Sequence, residues 1–126
     1  YGLNLGLAFQ LIDDVLDYSG NAAELGKDTG DDFREGKATL PVLYAYQRGS
    51  EADRAFWSRC IEAGEIRDGD LEAAIEKVNG CGAIEDSVKR ARDFGAKAVA
   101  AIEQVPASPI RDILADVVDF SISRAY

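Results

Sequence analysis

The stretch from Tyr1 to Tyr18, YGLNLGLAFQLIDDVLDY, constrains this chain more than any other. Wound as a helix at roughly 100° per residue, it spreads Leu3, Leu5, Leu7, Ala8, Phe9, Leu11, Ile12, Val15 and Leu16 over most of its circumference. Gly6, Gln10, Asp13, Asp14 and Asp17 fall together on the remaining stripe. A helix apolar over so much of its girth is built for burial. Yet the stripe carries three carboxylates, and the segment holds no Lys or Arg. Asp13 and Asp17 stand at i and i+4, where like charges repel by roughly 0.2–0.5 kcal/mol on an exposed helix. Burial sharpens that repulsion as the effective dielectric falls. One reading is an acidic face shown to water, although such faces are normally broader and mixed in sign. The other is one wall of a cavity whose charge is neutralised by a hard divalent cation, since magnesium accepts one or two carboxylates together with phosphate oxygens.

The next stretch, Ser19 to Ala38, changes character. Four glycines and a high polar density predict a long ordered loop with a short helical turn, and long loops inside compact domains tend to be functional. Lys27 and Lys37 are its only lysines, each directly after a glycine, with Arg34 between them. Lysine is a compact cation suited to phosphate oxygens, and a preceding glycine lets the backbone approach a ligand closely. An acidic helix followed by a Gly-Lys loop implies a diphosphate held between metal ions and lysines. The competing reading makes the lysines surface charges answering Asp28, Asp31, Asp32 and Glu35. A phosphate-binding P-loop ending at Lys37 fails on Asp31 and Ala38, and a calcium loop starting at Asp17 fails on Ala22 and Asp28.

The remainder is helical in pattern. A helix runs from about Thr39 to Gly49 with Pro41 in its first turn. Ser50 and Asp53 form a capping pair for the next, whose core side is Phe56, Trp57, Cys60 and Ile61. Asp70 is placed to cap another, with Leu71, Ala74, Ile75 and Val78 inward and Gly80 at its end. Ile84, Val88, Ala91, Ala98 and Ile102 mark a longer helix from about Gly82 to Gln104. Ser108-Pro109 opens the last, with Ile110, Ile113, Leu114, Val117 and Val118 as its buried face; Arg111, Arg124 and the acids between them read as a solvated face. No segment alternates at period two, so the fold is expected to be all-α, with about six helices and no internal repeat.

At 126 residues, 47% of them hydrophobic, one domain with one core is expected. A net charge of −9 argues against a nucleic-acid surface. His is absent, which removes the commonest general base and metal ligand. Cys60 and Cys81 match neither a zinc spacing nor a disulfide framework and read as reduced thiols. No apolar run reaches membrane-spanning length and no signal peptide is visible, so a cytoplasmic protein is expected. The chain opens without Met and already inside a helical pattern, as a part of a longer protein would.

FQLIDDVLDY (Phe9 to Tyr18), followed by GKDTGDDFREGKATLP (Gly26 to Pro41), closely resembles the second aspartate-rich region of the trans-polyprenyl diphosphate synthases. The closing VVDFSISRAY is also similar to the C-terminal part of these enzymes, nearest to the bacterial octaprenyl and decaprenyl types. The resemblance implies that residues 1–126 are the C-terminal part of a single isoprenoid-synthase helical bundle. It implies a prenyltransferase joining an allylic prenyl diphosphate to isopentenyl diphosphate. Asp13 and Asp17 would bind Mg2+ with Asp14 assisting; Lys27 and Lys37 would hold the allylic diphosphate; Asp32 would order the loop; Phe9 and Gln10 would face the reacting carbons. It further implies a homodimer in the intact enzyme. The family's first aspartate-rich motif is not in this sequence, so the chain is expected to carry half of a metal site and to be inactive by itself. A terpene cyclase is disfavoured by Asp17 and Asn21, which stand where that motif carries Ser and Glu. A non-catalytic subunit of a heteromeric synthase is disfavoured by the intact DDxxD.

Overall fold

The structure is a computed structural model that describes residues 1–19 and 29–124. Seven α-helices and no strand occur among the described residues: α1 (Gly2–Leu16), α2 (Asp31–Arg34), α3 (Leu40–Arg48), α4 (Glu51–Trp57), α5 (Asp70–Gly80), α6 (Ala83–Ile102) and α7 (Pro109–Ser123). The six long segments are those expected from periodicity, and α2 is the short turn anticipated within the loop.

Each boundary has a local cause. Ser50 accepts the Asp53 N–H while the Asp53 carboxylate accepts the Ser50 N–H, a reciprocal cap that starts α4. Ser108 caps α7 by accepting from Arg111 N, with Pro109 in the first turn. After Trp57 the chain widens into a π-helical turn, Ser58–Glu62, closed by Ala63 N–H to Ser58 C=O at 3.0 Å. Periodicity gives no sign of it.

The core is organised by α6, whose Ile84, Val88, Ala91, Ala98 and Ile102 are all buried as their spacing predicts. Helix α1 lies along it, burying Ala8, Ile12, Val15 and Leu16. Helix α7 packs on both, with Ile122 seated on Gly95, where a Cβ would come within 2.4 Å of Ile122 Cδ1. Two hydrogen bonds tie α7 to α1: Tyr1 OH to Leu114 C=O at 2.8 Å, and Arg124 Nη2 to Phe9 C=O at 3.1 Å. Both partners advance in the same direction along the chain, so α1 and α7 run parallel. At the other end Phe33, Phe56 and Trp57 form an aromatic trio with centroids 5.1 to 6.4 Å apart. Such pairs contribute about 0.5–1.5 kcal/mol each beyond the area they bury.

Three expectations are corrected. Most of the face assigned to α7 is turned outward: Ile110, Ile113 and Val117 are 71%, 59% and 40% exposed. Of that face only Val118 is buried, together with Ser121. Within the described residues α7 meets α6 through Val118 and Ile122, which close on Gly95. Arg124 does not belong to a solvated face: it is partly buried against α1, while Asp112, Asp116 and Asp119 remain exposed and Arg111 donates to Val105 C=O at the surface. Asp70 is not the cap of α5 but its first residue. Gly69, at φ 85°, holds the cap position, and the Asp70 carboxylate instead grips Arg59 through two hydrogen bonds of 2.8 and 3.1 Å and accepts the Arg67 N–H at 2.7 Å.

That grip is testable. The Arg59 guanidinium, and then the Arg67 amide, hold the Asp70 carboxyl well below the usual carboxylate range. Because this carboxyl titrates lower in the folded protein than in the unfolded chain, its contribution is complete above the ordinary aspartate range. It is lost as the pH falls toward the folded-state value. Asp70→Asn should therefore lower the denaturation midpoint near neutrality and cost much less in strong acid. A pH-independent difference between variant and parent would contradict this.

Candidate functional site

The three carboxylates of α1 look equivalent in sequence, but the fold separates them. Asp13 is the most exposed, Asp14 is 9% exposed and Asp17 is fully buried. Gln10, exposed one turn earlier, donates from Nε2 to Asp14 Oδ1 at 3.0 Å, an i,i+4 contact that fixes both side chains on the stripe. Asp17 ends α1. Its Oδ2 accepts the backbone N–H of Asp32 at 2.9 Å, and its carbonyl accepts the Gly30 N–H at 3.1 Å.

These two bonds bring the chain back onto the end of α1 and start α2 there. Gly30 occupies the cap position of α2 and has no side chain to satisfy the opening amides; the Asp17 carboxylate takes one of them instead. A negative charge at a helix N-terminus is favourable, and a charged acceptor strengthens the bond. Only glycine suits position 30, because φ is 93° and a Cβ would stand 2.5 Å from Leu71 Cδ1. From this start, Phe33 is driven into the aromatic trio, fully buried.

Lys37 comes directly after this turn. Its Nζ lies 2.9 Å from Glu35 Oε2 and 3.4 Å from Asp32 Oδ1, on a side chain that stays 58% exposed. The Glu35 carboxylate first, and Asp32 with it, push the Lys37 ammonium above its ordinary range, so it remains a cation. Asp32 thus faces two ways, its amide to Asp17 and its carboxylate to Lys37. Tyr18 is buried below; burial first, then Asp17, Asp32 and Asp14, push its hydroxyl far above the usual tyrosine value, so it keeps its proton. Phe9 is 46% exposed, with the Arg124 guanidinium 3.9 Å above its ring centroid. Lys27 lies outside the described residues.

Phe9, Gln10, Asp13, Asp14 and Asp17 therefore lie along α1 from its middle to its C-terminal end, and Asp32 and Lys37 belong to the segment clipped to that end. Among the described residues no three Asp, Glu or Cys side chains stand close enough to enclose a metal ion by themselves. The donor chemistry nonetheless suits a hard divalent cation completed by ligand oxygens: Asp13 and Asp14 are carboxylates on one stripe, and one oxygen of Asp17 is committed to an amide. Sequence reasoning misses Gly30, Phe33 and Arg124. The Gly-Asp-Asp start of α2 is a readable signal for the first two; nothing in the sequence announces the third.

A helical bundle of this kind is found among solved prenyl synthase structures. The whole chain superposes on 38% of a polyprenyl synthase from Caulobacter crescentus CB15, complexed with calcium and isoprenyl diphosphate, with 48% identity and a TM-score of 0.91. It likewise matches 39% of a decaprenyl diphosphate synthase from Rhodobacter capsulatus, at 45% identity and a TM-score of 0.90. Octaprenyl diphosphate synthase of Escherichia coli K12 is 41% identical over 124 residues, 98% of this chain and 38% of that protein. Residues 1–78 match the polyprenyl synthetase family model. The chain belongs to the polyprenyl synthetase family, and spans about two-fifths of the length of these relatives.

The unequal burial of the aspartates gives a second prediction. Asp17→Ala should orphan the buried Asp32 amide and destabilise the fold by about 1–3 kcal/mol. Asp13→Ala should move the melting temperature little. Equal shifts for the two variants would contradict the division of roles.

Proposed function

We propose that this chain carries the second aspartate-rich half of a prenyltransferase site, as the C-terminal part of a single all-α domain. The reaction is the condensation of an allylic prenyl diphosphate with isopentenyl diphosphate. The observation that carries this reading is the clip between Asp17 and Asp32, which sets a Gly-Lys segment against an acidic helix whose sequence contains no Lys or Arg. The long-chain class, of octaprenyl or decaprenyl type, is supported by identities of 41% and 45% to the Escherichia coli and Rhodobacter capsulatus enzymes.

Asp13, with Asp14 beside it and Asp17 below, would hold Mg2+, which when bound supplies positive charge to an oxygen-rich leaving group. Lys37, and Lys27 with it, would hold oxygens of the allylic diphosphate, adding fixed positive charge where negative charge develops. The allylic C–O bond breaks with its electron pair on the diphosphate. The isopentenyl double bond then supplies the pair for the new C–C bond, and a proton leaves the adjacent carbon for the departing diphosphate. No histidine is needed as base, which suits a chain that has none. Phe9, exposed on the same helix, would line the path of the reacting carbons and exclude water. Gln10, anchored to Asp14, would point its carbonyl oxygen toward the same space. The reading extends to a homodimeric enzyme acting in the cytoplasm; no helix among the described residues is long and apolar enough to cross a membrane.

The test uses the natural gene product carrying these residues, with labelled isopentenyl diphosphate, farnesyl diphosphate and Mg2+. Chain-extended product is expected. Asp13→Ala should lower kcat far more than stability, because it removes a group acting on charge that develops in the transition state. Lys37→Ala should raise KM for the allylic substrate more than for isopentenyl diphosphate. No extended product from the unaltered protein would refute the assignment.

A further inference from the structure

The molecule contains one basic side chain that crosses from its last helix to the acidic one, and the proposed chemistry makes no use of it. Arg124 ends α7. Its Nε donates to Ser121 C=O at 3.0 Å, which is what an arginine at a helix C-terminus ordinarily does. Its Nη2 reaches 115 positions back in sequence to donate to Phe9 C=O at 3.1 Å. The guanidinium lies 3.9 Å from the Phe9 ring centroid, the closest of the cation–ring stacks among the described residues, which otherwise span 4.6 to 5.6 Å. Stacked and hydrogen-bonded to the same residue, the guanidinium leaves Phe9 little rotational freedom.

Phe9 has two neighbours that give this placement its meaning. Gln10 is the next residue, and Asp13 is four residues on, one turn along the same side of α1. The Asp13 charge reaches Arg124, opposing the fall in its pKa that burial causes. The arginine therefore holds a ring that stands one turn before the most exposed aspartate of the stripe.

We propose that Arg124 is a positioning residue for the reacting face of α1: it fixes the Phe9 ring, so the last turn of α7 governs the ring's orientation one turn before Asp13. This rests on the reading of the site as a prenyltransferase half-site. Phe9 left unclamped samples rotamers that no longer align the reactants, and small misplacements of reacting groups cost on the order of a hundredfold in rate.

The experiment compares Arg124→Ala, Arg124→Lys, Phe9→Leu and the Phe9→Leu/Arg124→Ala double variant of the natural gene product. Arg124→Ala should lower kcat by on the order of tenfold or more while KM for either diphosphate changes by less than about threefold. Arg124→Lys, which keeps the charge and loses the fork, should recover part of that loss. In the Phe9→Leu background the arginine substitution should cost little more, because its partner is already gone. Calorimetric titration of Mg2+ in the presence of inorganic diphosphate should give an affinity within about threefold of the parent in Arg124→Ala, since the arginine's role is to hold the ring. An unaltered kcat, losses that simply add with those of Phe9→Leu, or a metal affinity changed by more than that would overturn the proposal. If the unaltered protein makes no prenyl product, the functional assignment fails, and the Phe9 ring-flip rate measured by NMR, expected to rise in Arg124→Ala and to stay unchanged if the arginine does not hold the ring, still decides the role of Arg124.

Discussion

The hydrogen bond from the Asp32 amide to the Asp17 carboxylate, 2.9 Å long and fully enclosed, is the joint on which this structure turns. Burying an aspartate is costly unless its charge is met by donors, and a helix N-terminus is among the few places inside a protein where the backbone itself meets it. Here the exchange runs both ways. Helix α2 begins at a glycine and lacks a capping side chain of its own, and Asp17 supplies the acceptor; the α2 amide in turn meets part of the buried charge. With Gly30 bonded to the Asp17 carbonyl, the loop returns at a fixed point. Phe33 is then aimed into the aromatic trio and Lys37 is carried above Asp32.

Charge is handled differently in the two halves of the molecule. Around α4, α5 and the π-helical turn, two acids are each held by a base from a neighbouring segment: Asp70 by Arg59, and Asp53 by Lys77 at 2.6 Å. Those pairs join neighbouring elements and serve stability. Along α1, Tyr18 is held neutral beside Asp17, Asp32 and Asp14, and Arg124 comes from the far end of the chain. Three carboxylates grouped on one helix, followed by a loop that carries lysines, are the donor chemistry that a cation and a diphosphate require.

Much of this is legible in the sequence, and the exceptions have physical causes. Helices α3, α5 and α6 follow from apolar spacing because their inward stripe is also their only strong one; Ile84, Val88, Ala91, Ala98 and Ile102 leave no alternative, whereas α1, apolar over most of its girth, leaves Leu3 and Phe9 exposed. Helix α7 carries apolar residues round most of its girth, and spacing does not say which of them meet α1 and α6. Spacing therefore points Ile110 and Ile113 inward, when the fold exposes them and buries Ser121 beside Val118. Asp70 precedes an apolar run as a cap would, but a cap forms only when no stronger donor competes, and Arg59 does. The π-helical turn changes the winding without changing which residues are apolar. At the site, the motif brings out Asp13, Asp14 and Asp17 together; their unequal roles depend on burial, which depends on where Gly30 returns. Arg124 is unreadable because its partner lies 115 positions away.

Native-state hydrogen exchange of the Asp32 and Gly30 amides tests the central claim most directly. Both bond to Asp17, so their protons should exchange only through the opening that also releases the last turn of α1, with matching protection factors. Asp32 exchanging at the rate of an unprotected amide, while Val15 and Leu16 remain protected, would show that the loop is not clipped to the acidic helix and would contradict the account.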